Sequence, residues 1–218
     1  MPNHRCEVDL LIFDLDGTLA DTRRDLANAV NHALQKIGKN EITLETITGY
    51  VGDGMRKLLE RALGETSDAD FEMARQHFQH FYAEHLADYS HLYPGVREVL
   101  KYFANKKKAV LSNKPQEFTE VLLQRLEIRH HFELVVGGQA NLQLKPDPEA
   151  AIHILKSLHV SPKRSVIIGD GENDIRTGKA AGIMTCAVTY GFRTEQELSA
   201  LEPDFVVNNL AELKLLFI

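Results

Sequence analysis

Several things are scarce in this 218-residue chain, and each scarcity removes a class of protein. It has only two cysteines, Cys6 and Cys186. They are far apart in sequence, which fits a reducing compartment better than a disulfide scaffold. No apolar run approaches the roughly 18 residues needed to cross a bilayer, and no charged-then-apolar leader opens the chain. The expectation is a cytoplasmic protein with no membrane partner. Positive charge is also short: 25 Lys and Arg stand against 31 Asp and Glu, a formal net charge of −6. That lacks the basic face a nucleic-acid binder needs. The ten histidines include no H-E-x-x-H and no Cys/His zinc spacing; His77 and His80 lie three apart with no third ligand in view. There is no internal repeat, low-complexity tract or long linker.

What is present is organised around Leu10-Leu11-Ile12-Phe13-Asp14-Leu15-Asp16-Gly17-Thr18. A short apolar run ending in a turn signal reads as a buried strand. Two carboxylates one residue apart follow it, on the same side by strand alternation, and Gly17 permits a sharp turn or a close approach to a ligand. An acidic pair in such a place needs a cationic partner.

Downstream the periodicity becomes helical. Thr22 with Asp25 three residues on resembles a capping box, and Leu26, Val30, Ala33, Leu34 and Ile37 keep one apolar face up to Gly38. A second helix carries Met55, Leu58, Leu59, Ala62 and Leu63. A third, capped by Ser67, carries Phe71, Ala74, Phe78, Phe81, Tyr82 and Leu86, an aromatic stripe that reads as core. From about residue 21 to 91 no strand is expected. After Pro94-Gly95 the chain alternates helix and strand, with strands at 109–111, 134–136, 166–168, 184–188 and 205–207. That alternation predicts a parallel α/β sheet.

The strand ends are polar: Asp14 and Asp16, then Ser112-Asn113-Lys114, then Gly169-Asp170-Gly171-Glu172-Asn173-Asp174, with Lys145-Pro146-Asp147-Pro148 before a helix. In an open α/β sheet these ends share one edge and converge on one cleft. Several carboxylates suit Mg²⁺, which keeps some waters and commonly bridges to phosphate. A serine, backbone N–H groups and a lysine suit a phosphoryl group.

Asp-x-Asp-Gly-Thr, a serine, Lys-Pro and Gly-Asp…Asp, in that order over nearly the whole chain, resemble the four motifs of the haloacid-dehalogenase superfamily in its phosphatase branch. The resemblance implies a Rossmann-like parallel sheet core, residues 1–20 plus 92–218, with an inserted all-helical cap, residues 21–91. It implies Asp14 as the nucleophile that forms a phosphoaspartate, and Asp16 as general acid and then base. Ser112 would hold phosphoryl oxygens, and Lys145 would neutralise charge and steady Asp14. Mg²⁺ would be held by Asp14, the main-chain carbonyl of Asp16, Asp170 and, at or near its outer shell, Asp174. Gly171 stands where many capped members have Ser or Thr, although Gly-Asp-Gly-x-Asn-Asp occurs in related branches and Asn173 offers a polar contact there. Asp16 argues against a dehalogenase. Leu26, where related mutases carry a cap histidine, argues against a mutase. Nothing marks Lys36, Lys39 or Lys57 as the Schiff-base lysine of a phosphonate hydrolase.

The runs Asp21-Thr22-Arg23-Arg24-Asp25-Leu26 and Gly49-Tyr50-Val51-Gly52-Asp53-Gly54-Met55-Arg56 resemble bacterial phosphoglycolate phosphatases. The expected partner is therefore a small phosphorylated metabolite, 2-phosphoglycolate first, with sugar phosphates or nucleotide monophosphates as the broader alternative. Gly17, Asn113, Gly52, Gly54 and Arg56 are the expected substrate-binding positions, Arg56 as a bidentate donor to a carboxylate. A non-enzymatic phosphoacceptor module shares the acidic pocket, but such receivers are about half this length and lack a helical insertion. The chain is expected to be a monomer or a homodimer.

Overall fold

The computed structural model describes residues 5–138 and 142–218. Strand β1 (Leu10–Phe13) leads through a tight turn to a two-residue strand, β2 (Ala20–Asp21). Four helices follow: α1 (Arg23–Lys36), α2 (Leu44–Tyr50), α3 (Met55–Leu63) and α4 (Asp68–His85). The chain returns through β3 (His91–Leu92), which pairs antiparallel with β2, Ala20 opposite Leu92 and Asp21 opposite His91. The remainder alternates: α5 (Val96–Tyr102), β4 (Lys107–Pro115), α6 (Gln116–Arg125), β5 (Leu134–Gly138), α7 (Glu149–Leu158), β6 (Ser165–Gly169), α8 (Glu172–Ala181), β7 (Met184–Val188), α9 (Glu195–Ser199), β8 (Phe205–Val207) and α10 (Leu213–Leu216).

The main sheet has six strands in the order β5-β4-β1-β6-β7-β8, every pairing parallel. Strand alternation splits the core. Leu11 and Phe13 point into one apolar cluster together with Val110, Val166 and Ile168, and that cluster runs on into the helical segment through Leu26, Leu58, Phe78 and Tyr82. Leu10 and Ile12 point the other way, against Ala109, Leu111, Ile167 and the buried residues of α7. Sheets buried on both faces read as continuous apolar runs, which is why β1, β6 and β7 are plain in the sequence. No helix of the described residues is long and apolar enough to cross a membrane.

Register delivers the site. Phe13 lies between Val110 and Ile168, and Asp14 N still donates to Ile168 O at 2.9 Å. The next residues of the three central strands are therefore Asp14, Leu111-Ser112 and Gly169-Asp170, at one carboxyl edge.

Four local expectations fail for identifiable reasons. Asp21 and His91 belong to strands, not helices; a two-residue pairing is too short for alternation to register. The α2 helix goes unforeseen because only Ile47 of its residues is buried, so it carries no apolar stripe; Thr43 caps it by accepting from Thr46 N at 3.2 Å. Strand β4 continues past its apolar part through Ser112, Asn113 and Lys114, all buried. Thr22 and Asp25 form no capping box. Thr22 Oγ1 donates instead to Asp16 at 2.6 Å, and the buried Asp25 carboxylate accepts from Tyr89 N, Ser90 N and Ser90 Oγ. Both side chains are drawn into long-range contacts that a local pattern does not reveal.

Candidate active site

One cavity opens at that edge, between the sheet and the helical segment. It is lined by Asp14, Asp16, Ser112, Lys114, Lys145, Asp170 and Asp174 from the sheet side and by Gly52, Gly54, Leu58, Phe78 and Tyr82 from the helical side. Its volume is about 120 Å³, below the roughly 300–1,000 Å³ of sites for drug-sized ligands.

Asp14, Asp170 and Asp174 each present a carboxylate oxygen within 4.8 Å of the others. Burial pushes the Asp14 carboxyl up to about 8; Lys145 works against this and the Asp174 charge adds to it. Burial, then the Asp174 charge, pushes Asp170 up to about 7. Crowded carboxylates of this kind keep protons near neutral pH unless a cation relieves them. The backbone is shaped to permit the crowding. Gly17 has a φ of +87°, and a Cβ there would overlap the Asp170 carboxylate. Gly169 is similarly packed on Asp174, and Gly191 on Asp170. The all-oxygen donor set and its size fit a hard divalent ion.

Two buried lysines divide the acids between them. Lys145 Nζ reaches Asp14 Oδ1 at 2.9 Å, Asp174 Oδ1 at 2.6 Å and Leu111 O at 2.8 Å. Lys114 Nζ reaches both oxygens of Asp16, at 2.9 and 3.0 Å. Burial disfavours each ammonium, yet the facing carboxylates outweigh it and raise both pKa values above the usual lysine range. The two acids of the first motif thus sit in different surroundings. Asp14 belongs to the three-carboxylate cluster, whereas the side chain of Asp16 is held apart from it by Lys114 and Thr22.

The remaining side chains fasten the edge. Asp170 accepts from Thr18 Oγ1 at 3.1 Å and Phe192 N at 2.7 Å. Asp174 Oδ2 accepts from Gly171 N at 3.1 Å. Ser112 Oγ lines the cavity and accepts from Lys114 N at 3.3 Å. Across the cavity, the Gly52–Gly54 loop is gripped from the sheet side. Gly52 O accepts from Asn113 Nδ2 at 2.9 Å and Asn173 Nδ2 at 3.2 Å, Asp53 Oδ1 accepts from Asn173 at 2.6 Å, and Val51 O accepts from an Arg193 Nη at 2.8 Å.

Asp14, Asp16, Ser112, Lys145, Asp170 and Asp174 therefore converge, with Gly52 and Gly54 facing them. Of the three other expected substrate contacts, Asn113 lines the cavity whereas Arg56 and Gly17 do not. Arg56 points to solvent, pairs with Glu60 at 2.8 Å and lies over the Phe71 ring, outside the cavity. The N–H of Gly17 is taken by Ala20 O at 2.9 Å, so its contribution is room for Asp170. Asn113 spends both ends of its amide on backbone, Oδ1 on Lys145 N and Nδ2 on Lys145 O and Gly52 O. Sequence reasoning passed over Lys114, although it ends the Ser-Asn-Lys run, and Thr22. It took Phe78 and Tyr82 wholly for core, although both also line the cavity. Nothing in the sequence singles out Arg193 or joins it to a loop more than 100 positions away.

A parallel α/β sheet whose carboxyl edge gathers acid, serine and lysine beneath an inserted helical segment is an open α/β fold with its ligand crevice at the strand ends. The family model described as haloacid dehalogenase-like hydrolase matches residues 11–188, and the chain belongs to that family. Among its relatives, a phosphoglycolate phosphatase of Vibrio vulnificus (strain YJ016) is 38% identical over 216 residues, covering 95% of each chain. Another of that name, from Photobacterium profundum, is 36% identical over 94% of each. The crystal structure of a predicted phosphoglycolate phosphatase from Haemophilus somnus superposes with a TM-score of 0.90 at 28% identity, covering 95% of this chain and 96% of the other.

Proposed function

We propose that this protein is a Mg²⁺-dependent phosphomonoesterase that hydrolyses 2-phosphoglycolate through a phosphoaspartate on Asp14. The observation that carries the reading is the division of the two acids: Asp14 in a three-carboxylate cluster with Lys145, Asp16 apart on Lys114. One carboxylate is kept for bonding to phosphorus and the other for moving a proton. The substrate assignment is supported by the names of relatives at 36–38% identity and by the smallness of the cavity.

Asp14 Oδ attacks phosphorus as the bond to the leaving oxygen breaks, and Asp16 gives that oxygen its proton, releasing glycolate. Asp16 then takes a proton from water as the water oxygen attacks the phosphoaspartate; inorganic phosphate leaves and Asp14 is regenerated. Ser112 and nearby backbone N–H groups hold the phosphoryl oxygens, and Lys145 keeps Asp14 placed and its charge balanced. Asp14 and Asp170, with the main-chain carbonyl of Asp16 and with Asp174 behind them, would hold Mg²⁺. The ion supplies charge neutralisation at the transferring phosphoryl group. In this reading residues 1–20 plus 92–218 are the core, residues 21–91 are a cap that closes over the substrate, and the protein works in the cytoplasm.

The test is phosphate release from 2-phosphoglycolate beside a panel of phosphomonoesters, with Mg²⁺ and with EDTA, using Asp14→Asn as the control. A preference of roughly 100-fold or more in kcat/KM, about 2.7 kcal/mol, establishes the substrate. Metal-dependent turnover with a flat profile keeps the chemistry and removes the substrate. Turnover that survives in Asp14→Asn removes the mechanism.

A further inference from the structure

We infer that Lys114 and Tyr82 together form a receptor for a carboxylate on the substrate, on the leaving-group side of the reacting phosphorus. The inference rests on the phosphatase reading above and assigns to it a specificity-determining pair.

The first observation is a buried polar group with no well-formed hydrogen bond. Only three buried side-chain polar atoms among the described residues lack a hydrogen-bond partner: Thr66 Oγ1, Thr177 Oγ1 and the Tyr82 hydroxyl. Of the three residues, Tyr82 alone lines the cavity, and it is 1% exposed. A buried hydroxyl left in this way is costly unless something outside the chain satisfies it. The rest of the ring is well held, stacked on Phe78 at 5.4 Å and edge-on to Phe118 at 5.2 Å. The hydroxyl is thus presented on a fixed support.

The second observation is a cation beside it. Lys114 Nζ lies 4.9 Å from the Tyr82 ring centroid, near enough for its charge to act on the phenol, though the two make no well-formed hydrogen bond. Its two contacts to Asp16 put it beside the acid that serves the leaving oxygen. In an in-line displacement the leaving group departs on the side opposite Asp14, toward Asp16. In 2-phosphoglycolate the carboxylate is one methylene from the leaving oxygen, so it falls next to whatever holds Asp16. A carboxylate has two oxygens, one for the ammonium and one for the phenol. The competing cation, Arg193, is engaged with Val51 O and Gly49 O on the loop rim, and Arg56 lies outside the cavity.

The experiment compares kcat/KM for 2-phosphoglycolate with that for ethyl phosphate, which has the same ester oxygen and no carboxylate, in wild type, Tyr82→Phe and Lys114→Gln. Tyr82→Phe removes one oxygen and keeps the ring packing, so folding is not at issue; circular dichroism confirms it. The wild-type ratio should favour 2-phosphoglycolate, and Tyr82→Phe should lower that ratio by about tenfold or more, the worth of a hydrogen bond to a charged group. Lys114→Gln should lower it further. A wild-type preference that survives unchanged in Tyr82→Phe places carboxylate recognition elsewhere and overturns this inference while leaving the substrate assignment intact. Equal losses on both esters make Tyr82 merely structural and overturn it too. Turnover without a wild-type preference removes the receptor and the substrate together, and absence of turnover on every ester removes the phosphatase reading itself.

Discussion

Asn113 and Lys145 are joined by two hydrogen bonds: Asn113 Oδ1 accepts from Lys145 N at 2.8 Å, and Asn113 Nδ2 donates to Lys145 O at 2.9 Å. The peptide from which the lysine side chain rises is thereby fixed to the end of β4. The same amide also reaches Gly52 O, so one residue ties the lysine, the sheet edge and the overlying loop. Asn113→Ala should lower kcat by about 10–100-fold, the scale of a catalytic group misplaced by an ångström. Steady-state kinetics would show the loss in kcat more than in KM. Loss confined to KM would mean that Asn113 serves substrate and not Lys145.

Asp14→Asn should reduce turnover by at least about 10⁴-fold, as removal of a covalent nucleophile does in other enzymes. Rapid acid quench with radiolabelled substrate should find label on the wild-type protein and none on the variant.

Without metal, stability should fall as pH rises. Burial raises the Asp14 and Asp170 carboxyls to about 8 and about 7, from the 3.8 ordinary for an exposed carboxyl. Between those limits the folded protein binds more protons than the unfolded chain, and that stabilisation, complete below pH 3.8, disappears as pH passes through 7 to 8. The Tm of the EDTA-treated protein should therefore drop from pH 5 to pH 8, and the drop should shrink in Asp170→Asn, which removes one of the two raised carboxyls. Mg²⁺ competes with the same protons, so its stabilising effect should grow over that range. At about 100 times the dissociation constant it reaches roughly 2.7 kcal/mol. A Tm that does not respond to Mg²⁺ at pH 8 would count against the cluster as a metal site.

Asp25→Ala should destabilise the fold by about 2–4 kcal/mol, because it leaves the N–H groups of Tyr89 and Ser90 without the carboxylate they share. Urea unfolding would measure it. Asp25 is 1% exposed and outside the cavity lining, so the cost falls on the junction between α1 and the returning chain.

Legibility followed range. The sheet was readable because a strand buried on both faces leaves an unbroken apolar run, and its end leaves an abrupt change to acid or glycine, as at Phe13-Asp14 and Ile168-Gly169-Asp170. The helices with apolar stripes were readable for the same reason. What escaped depends on partners distant in the chain. Lys114 looks like any strand-end lysine until Asp16, 98 positions earlier, is placed against it. Tyr82 has a core residue's spacing, and only the cavity shows that its hydroxyl is on a wall. Arg56 stood in a suggestive run, yet the turn of α3 carries it outward onto Glu60.

The pairing of β2 with β3 has a further consequence. The two places where the chain enters and leaves the helical run, Ala20 and Leu92, are neighbours. The sheet therefore meets the whole run of α1 to α4 as though it were a single turn in one hairpin. Loop-closure cost rises only slowly with length, so the strand order and register do not depend on how many residues that excursion holds. The excursion, and with it the ceiling of the cavity, can therefore change in length without moving the floor that carries Asp14, Ser112, Lys145 and Asp170.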